Sequence, residues 1–95
     1  MISSTDEIER YQELTDEDKE TVIRWIEDNL IQSKTFNQAY TSYGLKHYME
    51  NDTGIYVCNG AFKGCMMMMG YEPKDIRTQN HIYKISSKSP GVRLR

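Results

Sequence analysis

The stretch Val57-Cys58-Asn59-Gly60-Ala61-Phe62-Lys63-Gly64-Cys65-Met66-Met67-Met68-Met69-Gly70-Tyr71 decides how this chain folds. Phe62, Cys65, Met66 and Met69 recur at the i, i+3, i+4, i+7 spacing that lines one face of a helix. Asn59 suits the residue that caps a helix start, because its side chain accepts a free backbone N–H. Gly70 stands where a left-handed residue closes a helix, and Pro73 follows shortly after. These signals predict a helix over 60–69. Four consecutive methionines cover every face of it, so Met67 or Met68 is expected to be partly exposed. Their flexible thioethers suit either an irregular core or an adaptable contact surface.

Upstream, Ser42 is expected to cap a short helix over 43–51, with Leu45, Tyr48 and Met49 buried. Gly44 costs that helix about 1 kcal/mol relative to alanine, which packing must offset. Asp52, Thr53 and Gly54 end it, and Ile55-Tyr56-Val57 is a short β-prone run. Downstream, residues 71–80 form a polar loop, and His81-Ile82-Tyr83-Lys84-Ile85 alternates as a strand does. Helix, connection, capped helix, Gly-Tyr and strand together predict an α+β class. The expected architecture is mainly helical, a helix-turn-helix-like core over 41–86 with a short β-hairpin or wing pairing 81–85 with 55–57. In such a core Asn59, Gly60, Lys63 and Met67 face outward, while Phe62, Cys65, Met66 and Met69 face inward. Two features strain the comparison. The connection exceeds a three- to four-residue turn, and a helix carrying glycine, one lysine and methionines is a poor reader of base edges.

The N-terminal third has a different character. Residues 1–30 hold ten acids against three bases, a net −7, whereas residues 31–95 hold nine bases against four acids, a net +5. Ser4 and Glu7 have the spacing of a capping box, which predicts a short helix over 5–13 with Ile8 and Tyr11 on one face. Thr15 opens a stronger helix. Asp16, Glu17 and Asp18 fill its first turn, where the helix dipole favours negative charge. Val22, Ile26 and Leu30 then form its apolar face, widened by Trp25. Capping and a solvated face account for these acids, and so does a phosphate mimic that occupies a basic groove. Residues 32–40 connect, and 88–95 form a basic tail with Pro90 and Gly91 that is expected to be mobile.

Ninety-five residues make one small domain with a thin core. Eleven per cent aromatic residues argue against disorder, because rings supply the burial that offsets ordering entropy. No apolar run approaches the ~18 residues that span a bilayer. The polar, acidic start is unlike a secretory signal, so the expected location is the cytosol of the cell that makes the protein. Cys58 and Cys65 are expected to be reduced thiols, and neither they nor His47 and His81 have the spacing of a zinc site. No phosphate loop, metal-binding helix or nucleophile turn is present. The expectation is therefore a binding protein with no catalytic residues and no cofactor.

The motifs Thr41-Ser42-Tyr43-Gly44-Leu45-Lys46-His47, Gly54-Ile55-Tyr56-Val57, Asn59-Gly60-Ala61-Phe62-Lys63-Gly64, Gly70-Tyr71 and Tyr83-Lys84-Ile85-Ser86 resemble small accessory proteins of phages and integrative elements in Gram-positive bacteria. The likeness covers residues 37–89. It implies a bacterial host cytoplasm and an anti-CRISPR-like role, the inhibition of a type II effector nuclease or its guide-RNA complex. The alternative it leaves open is a helix-turn-helix DNA-binding regulator of the mobile element, which would act as a homodimer. For an inhibitor the expected protein-binding patch is Glu13, Asp16, Glu17, Asp18 and Glu20. For contacts to DNA or RNA the candidates are Lys46, Asn59, Lys63, Lys84, Lys88 and Arg93, with Arg95. Tyr43, Trp25 and Phe62 are assigned to the core.

Overall fold

The computed structural model describes residues 4–93. At its centre lies α3, Asn59–Met68, which packs against both other α-helices and against two short 3-10 helices that precede them. Every residue from Asn59 to Met66 is buried, so α3 has no solvent face until its last turn. Phe62, Cys65 and Met66 meet the apolar faces of the other helices in a single hydrophobic cluster, as their spacing predicts. The opposite side is made of small residues. A Cβ at Gly60 would collide with the Glu7 carbonyl oxygen, and one at Gly64 would sit 2.5 Å from that of Ile8. Glycine is required at both positions because another backbone lies on them. Gly70, at φ 88°, adopts the left-handed conformation expected beyond the helix end.

The first α-helix, α1 (Asp16–Asn29), forms as its sequence predicts. The Thr15 hydroxyl accepts from the Asp18 N–H at 3.1 Å. Val22, Trp25 and Ile26 are buried, with Leu30 just past the end. The Trp25 indole N–H donates to Asp52 at 2.9 Å, tying α1 to the last turn of α2 (Ser42–Thr53). Trp25 also packs its ring against Phe62, centroids 6.4 Å apart. In α2, Leu45 and Met49 are buried and Gly54, at φ 80°, ends the helix. Its cap is Thr41, whose hydroxyl accepts from the Gly44 N–H. Ser42, expected to cap, is instead fully buried and serves the interior.

The segment expected as one helix over 5–13 is two 3-10 helices, Ser4–Asp6 and Ile8–Glu13, broken by extended backbone at Glu7. The Ser4 hydroxyl that the expected capping box requires lies outside the described residues. A 3-10 winding lets this short stretch follow the surface of α3 with its main chain against the two glycines.

The expected α+β class, with its hairpin or wing, is corrected: the described residues are helical, and two isolated antiparallel bridges are their only β-type pairing. Ile55–Val57 forms no strand. The alternation over 81–85 is present in burial, with His81, Tyr83 and Ile85 inside. Its backbone pairs with the connector rather than with 55–57, through the bridges Gln32–Ile85 and Thr41–Ile82. Ser33 N–H donates to Lys84 O, Asn37 to Tyr83 O and Ser42 to His81 O. The chain between Ser33 and Tyr40 follows no regular register, so the pairings never become a ladder. The helix-turn-helix-like core falls with the wing, because the helix meant to be presented is internal. Asn59, Gly60 and Lys63 face inward.

The expected mobile tail is also corrected as far as Arg93. Ser89, Gly91 and Val92 are buried, Ile31 N–H donates to the Ser89 hydroxyl at 2.8 Å, and Gly91 N–H donates to Asn29 O at 2.8 Å. Leu94 and Arg95 lie outside the described residues. No helix among the described residues is long and apolar enough to cross a membrane.

Candidate functional site

The acidic candidates gather on one outer surface. Glu13 ends the second 3-10 helix, and Asp16, Glu17 and Glu20 follow on α1, all exposed, while Asp18 is half-buried. Glu27 and Asp28 continue the exposed acids toward the other end of α1. Two members are partly neutralised, Glu13 by Arg10 at 2.8 Å and Glu20 by Arg24 at 2.7 Å. Both pairs are exposed and held only loosely in place, as surface pairs are. Asp16, Glu17, Glu27 and Asp28 enter no ion pair among the described residues. Along this helix runs an open groove of about 470 Å³, walled by Glu17, Glu20, Arg24 and Asp28 with Trp25 and Asn29 beneath.

The basic candidates do not gather. Lys46 is 3% exposed, with its ammonium 3.0 Å from Glu50 and over the rings of Tyr43 and Tyr56 at 5.4 and 4.7 Å. Glu50 also accepts from Val57 N–H at 3.2 Å, so Lys46 and Glu50 together anchor the chain that leaves α2. Lys63 is 0% exposed, and its ammonium donates to Gln79 O at 2.7 Å. Burial pushes its pKa below the usual lysine value, against the opposing pull of Asp6 and Glu9. Asn59 is not a cap. Its amide nitrogen lies within hydrogen-bond reach of Asp6, Gln79 O and Asn80, and its oxygen accepts from Ser42. Among the described residues, only Lys84, Lys88 and Arg93 of the proposed nucleic-acid contacts are exposed, and they lie on the irregular C-terminal segment. Lys84 rests over the Phe36 ring at 5.0 Å.

Sequence reasoning missed a second concave feature. Tyr43, assigned to the core, is 50% exposed, and Tyr56, read as part of a strand, is 74% exposed. They flank an open cleft of about 510 Å³ whose floor includes Asp6, Lys46, Asn59 and Asn80. The available signal was Lys46 itself. It lies three residues after Tyr43 on one helix face, where an ammonium folds back over a ring and turns that ring outward.

His47 is half exposed, 3.2 Å from Glu50 and edge-on to Tyr43. His81 is fully buried, Nε2 3.2 Å from Ile76 O, and desolvation lowers its pKa. Cys58 and Cys65 are free thiols, as expected, and burial pushes the Cys65 pKa up to about 11. Among the described residues no group of three or more His, Cys, Asp or Glu side chains is placed to hold a metal ion. Compared with protein-family models, curated proteins and solved structures, the chain matches none of them.

Proposed function

We propose that this chain is a non-enzymatic binding protein whose acidic outer face, Glu13 through Glu20 and on along α1, engages a basic surface of a partner protein. The observation that carries this is an asymmetry of exposure. The acids stand outside with few internal partners, whereas Lys46 and Lys63, the lysines nearest the expected recognition helix, are spent inside the fold. A face of closely spaced carboxylates complements a groove that ordinarily holds nucleic acid, and such complementarity sets partner choice and association rate. The exposed Tyr43 and Tyr56 supply apolar area of the kind that anchors protein interfaces.

The resemblance to accessory proteins of phages and integrative elements directs the choice of partner to a host defence nuclease, a type II CRISPR effector or its guide-RNA complex. The test is a pull-down with tagged protein from a bacterial lysate holding that effector, split with and without nuclease digestion. Recovery of the effector in both halves supports a protein-directed inhibitor. Recovery of nucleic acid alone, lost on digestion, overturns it and turns attention to Lys84, Lys88 and Arg93.

A further inference from the structure

The run of four methionines does not stay in the core. Met66 is fully buried, Met67 is half-buried, and Met68, the last residue of α3, is 51% exposed. Beside them an open groove of about 370 Å³ is lined by Ile8, Glu9, Tyr11, Gly64, Met67 and Met68. Two short apolar ridges wall it. Ile8 and Tyr11, three residues apart on the second 3-10 helix and both half-buried, form one, and the two methionines on the last turn of α3 form the other. Gly64 sets their spacing. A Cβ there would lie 2.5 Å from the Ile8 carbonyl oxygen and 2.7 Å from the Tyr11 ring, so the two elements are seated directly on each other. The Lys19 ammonium stands over the same ring, 5.4 Å from its centroid. The groove thus has one firm wall and one adaptable wall of flexible thioethers, which fit their shape to an apolar side chain.

Charge says what kind of chain brings that side chain. Glu9 lines the groove, and exposed Glu7 lies two residues before it; neither enters an ion pair among the described residues. The same 3-10 helix ends at Glu13, the first residue of the proposed acidic face, so groove and face are continuous along the chain. A second copy docked through this groove about a two-fold axis would set these acids opposite like acids. An anionic lipid surface would meet the same repulsion.

We propose that this groove seats a large apolar side chain from a basic amphipathic segment of a protein partner, whose Lys and Arg residues meet Glu7, Glu9 and the acids that follow. The inference rests on the acidic-face reading and supplies what that face lacks, an apolar anchor at its edge. Carboxylates alone set partner choice and association rate, whereas a side chain buried among Ile8, Tyr11, Met67 and Met68 slows release. Amphipathic segments laid into apolar grooves are read through such anchors.

The test uses the full chain with carbon-13 in its methionine methyl groups, each signal assigned by a single Met→Leu variant. It is titrated with a synthetic amphipathic peptide of leucine and lysine. Two controls accompany it, one with every leucine replaced by serine and one with every lysine replaced by glutamate. The proposal predicts that the leucine–lysine peptide moves the Met67 and Met68 signals and leaves those of buried Met49 and Met66 in place. Met68→Ser, at an exposed helix end, should weaken that binding about tenfold or more, and the serine–lysine peptide should bind the unsubstituted chain more weakly by a similar factor. Equal binding by the serine–lysine peptide, with Met67 and Met68 unmoved, overturns the groove and leaves the acidic face standing. Equal binding by the leucine–glutamate peptide overturns the basic occupant. Met67 and Met68 signals that move with protein concentration alone assign the groove to a second copy and overturn the proposal as well. Tight binding that Met68→Ser does not change, or no binding of the leucine–lysine peptide, also refutes it. The acidic face is judged separately, by Asp16→Lys/Glu17→Lys against a purified effector, because neither residue lines the groove.

Discussion

Removing one oxygen atom, by Ser42→Ala, should destabilise this protein more than loss of a helix cap would. The Ser42 hydroxyl donates to Asn59 Oδ1 at 3.0 Å and accepts from His81 N–H at 3.0 Å, so it joins α2, α3 and the 81–85 segment at one buried point. Alanine leaves the interior donor and the interior acceptor without that partner. Each such group costs about 1–3 kcal/mol, and with partial relaxation the pair costs about 2–4 kcal/mol. A chain of this length has roughly 5–14 kcal/mol of stability in total, so the loss is a large share and lowers Tm by about 10–25 °C. Urea unfolding followed by fluorescence of the buried Trp25 measures it, with an unchanged slope showing that only stability moved. The control is Thr41→Ala, which removes the actual α2 cap and costs about 1 kcal/mol. If Ser42→Ala costs no more than Thr41→Ala, the hydroxyl is not the bridge described, and the junction of the three segments is held by packing alone.

The two thiols should separate cleanly: at pH 8, a thiol reagent titrates Cys58 in the native protein, and Cys65, buried and with its pKa pushed up to about 11, reacts only after denaturation. Two rapid equivalents without denaturant would contradict the burial of Cys65. His81 should make the fold weaken in mild acid. Its folded-state pKa lies below the ordinary value of 6.5, so the unfolded chain binds the proton more readily. Stability from this group is therefore fully present above about pH 6.5 and declines as pH falls toward the folded-state value. Urea midpoints between pH 5.5 and 7.5 should show that slope, and His81→Asn should flatten it. An equal slope in the variant would assign the effect elsewhere.

What was legible in the sequence was local. Thr15 followed by three acids, and Val22, Trp25, Ile26 and Leu30 at helical spacing, led directly to α1. Phe62, Cys65 and Met66 marked the core side of α3, and Gly70 marked its end. The errors arose where a residue satisfied a local rule but had a distant partner. Ser42 and Asn59 both look like caps, yet each faces the interior, because Ser42 bonds to Asn59 and Asn59 reaches Asp6 and the 79–80 turn. Lys63 reads as a solvent-facing charge, yet it is fully buried and its ammonium donates to Gln79 O. Period-two alternation over 81–85 reports one buried side and says nothing of the partner strand, so it invited a hairpin where only isolated bridges form. Gly60 and Gly64, one turn apart, were the one local hint that a backbone crosses α3. The acidic surface was legible because charge repelled from the core needs no partner to stay outside.

The most direct test of the acidic-face proposal is the affinity of purified protein for a purified type II effector, measured with Asp16→Lys/Glu17→Lys beside Lys88→Glu/Arg93→Glu. Neither double variant touches a buried group. The proposal predicts that reversing Asp16 and Glu17 weakens binding by about tenfold or more, as loss of charge complementarity at close range does, while reversing Lys88 and Arg93 changes it little. Undiminished binding by the acidic-face variant, with loss in the basic variant, would contradict it and place the contact on the C-terminal segment.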